Sequence, residues 1–158
     1  MPRPEAHSGG CQCGAVRFRI ARLGRSSICH CRMCQKAFGG FFGPLVTGLD
    51  FAWTRGAPKY FASSDTVRRG FCGECGTPLT YESGHYTEFA IGALDDPEVA
   101  APVLQVNPAG KLSFTDHLHD LPTWAPEKQA ERDALYAGYV SRQHPDHDTP
   151  TWPPKEQA

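Results

Sequence analysis

The chain has no run of about 18 apolar residues, so a membrane-spanning helix is not expected. Its opening, "MPRPEAHSGG", lacks the apolar segment of a secretory signal, so export is not expected and the cytoplasm is the natural compartment. No segment recurs at a period of about 20–50 residues, which sets aside solenoids and propellers. An excess of one charge is also missing: 16 Lys and Arg face 17 Asp and Glu, for a net charge of −1. Without a long basic block or an RNA-binding signature, nucleic acid is not the expected partner. Helix signals are few. "CRMCQKAF" has room for one or two turns, and "APEKQAERDALYAGYV", from Ala125 to Val140, is the one extended stretch of good helix formers.

What is present is a β pattern. With 158 residues, 40% hydrophobic and 21% charged, the chain suits one soluble globular domain with a core of its own. "AVRFRI" alternates, placing Val16, Phe18 and Ile20 on one face and Arg17 and Arg19 on the other, as in a half-buried strand. "FFGPLVTG", "LDFAW", "KYFA", "VRRGFC", "PLTYES" and "TEFAIGAL" are further short segments rich in aromatic and β-branched residues. Sixteen glycines and 14 prolines punctuate them as turns. These features predict a mainly β fold of two packed antiparallel sheets with a C-terminal helix. The polar, Pro-rich "SRQHPDHDTPTWPPKEQA" is expected to be extended or disordered, with His144 and His147 solvated and Trp152 without an assignable dock.

Charge is unevenly spread. Residues 1–40 carry seven Lys and Arg against Glu5 alone, a net +6 that leaves −7 for the remainder. Such a basic third can attract an anionic ligand, or simply form a solvated strand face.

Seven cysteines in a chain without an export signal point to metal rather than to disulfides. In "CGECG", Cys72 and Cys75 are spaced so that a tight turn can aim both sulfurs at one ion, and the following glycine can take a positive φ and admit backbone N–H groups to the sulfurs. "CQCG" is the natural other half. Cys11, Cys13, Cys72 and Cys75 then close a structural zinc site that ties an N-terminal strand to one about sixty residues later; the alternatives are a disulfide pair or free thiols. The tail contains no cysteine and is not expected to hold metal.

Cys29, Cys31 and Cys34 remain. Three thiolates with an open position form the pattern of a reactive zinc, with Arg32 and Lys36 nearby to offset charge. The alternatives are closure by His117 or His119 of "DHLHD", or a redox-active or empty group; His30, held between two ligands, is the poorer candidate. An anionic thiol at this site would need donors, and "FGGFFG", Arg32, Lys36, Arg68 and Arg69 offer them. Arg68 and Arg69 are consecutive in a strand, so at most one faces a given pocket. A proton carrier from Asp116, His117, His119 or Asp120 competes with their reading as surface residues.

In the order "GGCQCGAVRF", "CHCRMCQKAFGG", "WTRGAPKYFASSDTVRRGFCGECGTPLTY", "FAIGALDDPE" and "DLPTW", the chain resembles the glutathione-dependent formaldehyde-activating enzymes, which share a domain with centromere protein V. The resemblance runs over roughly residues 7–124, and its two–three–two cysteine order is specific. It implies a zinc-organised β-tent fold over residues 1–124, with 125–158 left as a helix and tail. It implies two zinc ions per chain: a structural one on Cys11, Cys13, Cys72 and Cys75, and a catalytic one on Cys29, Cys31 and Cys34. It also implies a carbon–sulfur lyase activity that condenses glutathione with formaldehyde to S-hydroxymethylglutathione; a related thiol or another small aldehyde is open at the same zinc. The competing expectation is a non-catalytic, zinc-stabilised module that binds a protein partner.

Overall fold

The computed structural model describes residues 6–153; the ends of both predicted regions, 1–5 and 154–158, lie outside it. Eight strands occur among the described residues: β1 His7–Gly10, β2 Arg17–Cys29, β3 Gly43–Arg55, β4 Lys59–Ala62, β5 Val67–Phe71, β6 Pro78–Ser83, β7 Thr87–Ala90 and β8 Gln105–Val106. Two α-helices accompany them, α1 Arg32–Phe38 and α2 Pro126–Tyr136. The mainly antiparallel β architecture and the C-terminal helix are as expected. Among the described residues, no helix is long and apolar enough to cross a membrane.

The two predicted sheets are hydrogen-bonded into one ladder, in the order β1-β2-β3-β7-β6-β5-β4, with β8 added parallel to the end of β2. Among the described strands the two halves join where Leu45–Thr47 of β3 pair with Glu88–Ala90 of β7, and an isolated bridge links Gly9 to Leu94. In a flat sheet β2 and β6 would lie three spacings apart, roughly 14 Å. Yet cysteines just before β2 and just before β6 bring their sulfurs within 4.8 Å of one another. The ladder is therefore folded over, and its two halves face each other across the core.

That core is what alternation prescribes. Val16, Phe18 and Ile20 are buried, and Phe18 meets Phe89 at 4.7 Å between ring centres, with Phe51 and Trp53 packed around them. Each fully buried large side chain contributes about 1.5–3 kcal/mol. "FFGPLVTG" and "LDFAW", expected as separate segments, run together in β3 because β2 offers a 13-residue partner.

Two expectations need correction. Arg17 is not on a solvated face: it is 3% exposed, forked onto Asp95 at 2.8 and 2.6 Å, and it also donates to Asp148 at 2.8 and 3.1 Å. Buried charge is tolerated because both carboxylates neutralise it. Between them in the chain, "DHLHD" lies in a 3-10 helix over Ser113–Asp120. The tail has no regular secondary structure, but it is docked. His144 is buried and donates its backbone N–H to Gln12 O at 2.7 Å, Asp148 accepts from Arg17 and Arg19, and Arg55 donates to the Thr149 carbonyl. Trp152 Nε1 donates to Cys13 O at 2.6 Å. Side-chain partners from distant strands, which local composition does not reveal, hold this segment.

Candidate metal centres

Cys11 and Cys13 sit in the turn between β1 and β2, and Cys72 and Cys75 in the turn between β5 and β6. The turns are built alike. Gly14 N donates to Cys11 O, and Gly76 N to Cys72 O. Both glycines have positive φ, 81° and 79°, which a side chain would strain. Backbone N–H groups reach the sulfurs, Val16 to Cys11 at 3.3 Å and Glu74 to Cys72 at 3.4 Å. Thr77 spans both turns, accepting from Gln12 N at 3.0 Å while its hydroxyl lies 3.1 Å from Cys75 Sγ.

A tetrahedron of sulfurs at about 2.3 Å from zinc has edges of about 3.8 Å. The Cys11–Cys13 and Cys13–Cys72 sulfurs are 3.6 and 3.9 Å apart, and all seven cysteines are free thiols. This four-sulfur group fits zinc. Its thiols are unequal without the ion. Burial raises Cys11 and Cys13. Burial also opposes ionisation of Cys75, but hydrogen bonds from Thr77 and from the Cys13 backbone bring it down to about 6. Binding a metal must therefore release protons from this cluster.

Cys29, Cys31 and Cys34 form the second group, with sulfurs within 4.8 Å of one another. Cys29 ends β2. Cys31 caps α1, its sulfur accepting from Cys34 N at 3.4 Å, so two ligands face one another across the first turn of the helix. Gln35 is buried, and its amide donates to the carbonyls of His30 and Gly110 at 2.9 and 3.0 Å, which pins the cysteine loop to the chain beyond β8. A Cβ on Gly43 would stand 2.8 Å from that of Cys34, so only glycine lets β3 pass this close.

Two further donors reach these sulfurs: Asn107 Nδ2 to Cys29 at 3.3 Å and Arg69 Nη2 to Cys34 at 3.5 Å. Arg69, rather than Arg32 or Lys36, is the cation in contact, while Arg32 bonds Gln35 Oε1 at 2.6 Å. Burial opposes ionisation of Cys31, but the N–H groups of Cys34 and Met33 at the helix start lower its pKa. Burial pushes Cys34 up to about 12 against the pull of Arg69. Three thiolates within reach of one ion suit zinc with one coordination position left over.

Among the described residues, no histidine or carboxylate joins this group. His117 and His119 are exposed, at 75% and 78%, and both pair with Asp120. His30 turns its ring away to Gln105 Oε1 at 2.9 Å and lines a different cavity. The N–H groups of Gly39 and Gly40 cap α1 and are not free for an anion. Asp116 pairs with Lys111. The three sulfurs open instead on a cavity of about 450 Å³, whose lining includes Arg25, Leu45, Arg69, Tyr81, Tyr86, Glu88 and Asn107. Of these, only Arg69 stood out in the sequence. Asn107 and Glu88 carry no spacing signal, because pairings distant in the chain bring them to the site.

Residues 6–107 match the family described as glutathione-dependent formaldehyde-activating enzyme. A protein of Halomonas elongata, provisionally named as such an enzyme, is 28% identical over 144 residues, covering 83% of this chain and 87% of its own length. A Rhodobacter sphaeroides protein of known crystal structure aligns with a TM-score of 0.48 and 19% identity over 63% of this chain and 99% of that one.

Proposed function

Because this chain belongs to the family of glutathione-dependent formaldehyde-activating enzymes, we propose that it joins a small thiol such as glutathione to formaldehyde or a related small aldehyde. The reaction is of the carbon–sulfur lyase class and takes place in the cavity beside Cys29, Cys31 and Cys34. One observation carries the reading: a three-sulfur group without a fourth protein ligand among the described residues, opening on a cavity. A buried four-ligand second site would have favoured a non-catalytic binding module.

The reaction adds S–H across C=O. The thiol gives up its proton, the sulfur pair forms the C–S bond, the π pair moves onto oxygen, and oxygen takes a proton. Zinc on the three cysteines would use its one open position either to favour the substrate thiolate or to polarise the aldehyde oxygen. Asn107 and Arg69 hold the sulfurs of Cys29 and Cys34 in place. Arg69 Nη1 is buried without a hydrogen-bond partner among the described residues and is the donor to receive the oxygen as negative charge develops there. Leu45 and Val106 give the cavity an apolar wall, which strengthens these contacts by excluding water. The zinc on Cys11, Cys13, Cys72 and Cys75 is assigned a structural role.

Formaldehyde consumption in the presence of glutathione, corrected for the spontaneous reaction, tests this. The rate is expected to scale with zinc-loaded protein and to vanish in Cys31→Ser while one zinc per chain remains. A wild-type protein that holds both zinc ions and accelerates no small thiol would remove the enzyme reading.

A further inference from the structure

One wall of the same cavity carries a group that the chemistry above does not use. β5, β6 and β7 are paired so that Arg69, Tyr81 and Glu88 stand directly opposite one another in a row on one face. Arg68 points to the other face and pairs with Glu82. Arg69 ends the row beside Cys34; Glu88 ends it on the far side.

Glu88 is 6% exposed, and its Oε1 is buried with no hydrogen-bond partner among the described residues. Its one ion-pair contact is Arg25 Nη2 at 3.9 Å, too long for a hydrogen bond and made by a side chain that is 56% exposed. Burial raises its pKa, with Arg25 opposing only in part. A buried carboxylate without donors is costly unless something completes it. Tyr81 and Tyr86 line the same cavity, their rings stacked at 6.3 Å and 23°. Arg69 already lies over the Tyr81 ring, 5.1 Å from its centre, so the open feature of this wall is the acid, and an ammonium brings three donors where the described residues supply none.

We propose that Glu88 is the subsite for a protonated amine carried by the thiol substrate, so that the cavity selects thiols that also bear an ammonium group. This rests on the reading of the cavity as the thiol site. A thiol without the amine would leave Glu88 buried and uncompensated, and charge-assisted hydrogen bonds of this kind are worth roughly 10- to 100-fold in affinity.

The test compares glutathione with its N-acetyl derivative, which keeps the thiol and both carboxylates but has no ammonium. Binding and turnover are measured on the zinc-loaded full chain. The wild type is expected to bind glutathione roughly 10- to 100-fold more tightly than the derivative. In Glu88→Gln, with zinc content and melting temperature as controls, the preference should nearly vanish because glutathione weakens and the derivative does not. Glu88→Asp should retain part of it. Equal affinity of the wild type for the two thiols, which needs no variant, overturns the subsite while leaving the enzyme reading intact. An equal loss of both thiols in Glu88→Gln also overturns it. A wild type that neither binds nor turns over either thiol defeats the enzyme reading and the subsite with it.

Discussion

The two cysteine groups use the same ligand atom in opposite ways. The four-sulfur group draws on turns about sixty residues apart, lying on facing halves of a folded ladder, and Thr77 bridges the two turns. The tail lies over it, with Trp152 on Cys13 O and His144 on Gln12 O. The three-sulfur group comes from six consecutive residues and opens on a cavity. A metal on the first closes a long loop and counts as folding energy, whereas one on the second closes almost none. On the proposed reading, ligand spacing along the chain separates the group assigned to hold the fold from the group assigned to react.

The comparison breaks most visibly at the first group. Cys75→Ser should lose that zinc and the cooperative unfolding transition with it, since structural zinc is worth about 10–16 kcal/mol in small domains. Zinc content and thermal unfolding measure this, and normal melting without the ion would defeat it. Cys31→Ser, in the same measurement, should retain its transition and one zinc; if it unfolds, the two groups do not differ as described.

The tail offers a finer cut. A chain ending at Val140 should bind the same number of zinc ions, because residues 141–158 add no cysteine, yet release the first to a chelator several-fold faster. Release at the wild-type rate would mean that the docked tail does not guard the site. Loss of zinc with the fold intact would make a tail group such as His144 a ligand.

The smallest effect is electrostatic. Burial opposes ionisation of Asp148, but hydrogen bonds from Arg17 and Arg19 hold its carboxyl below the usual carboxylate range. A depressed folded-state pKa gives stability that is present above the unfolded value and is lost as pH falls through the folded one. Asp148→Asn should therefore melt a few degrees lower than the wild type near neutrality. The gap should close in acid, below about pH 3.9. A gap that does not change with pH would show that the tail docks without this ion pair.

Much was legible beforehand because it is local. Period-two alternation placed Val16, Phe18 and Ile20 in the core. The glycine after Cys75 marked a turn that needs positive φ, and Gly14 after Cys13 repeats it. Other residues were misread because their partners are remote. Arg17 looks like the polar face of a strand until Asp95 and Asp148 are brought to it. His144 looks solvated until Gly14 leaves room for its ring, where a Cβ would stand 2.1 Å away.

By itself, the sequence determined the β character, the seven thiols and their division into pairs and a triplet, because side-chain period and ligand spacing are properties of short segments. Only the tertiary structure decided what surrounds the triplet. Arg69, Tyr81 and Glu88 lie on three different strands and share a wall through cross-strand register. Asn107 reaches Cys29 because β8 pairs parallel to the end of β2. Register between strands is set when the whole ladder folds over its core, and no window of the chain contains it.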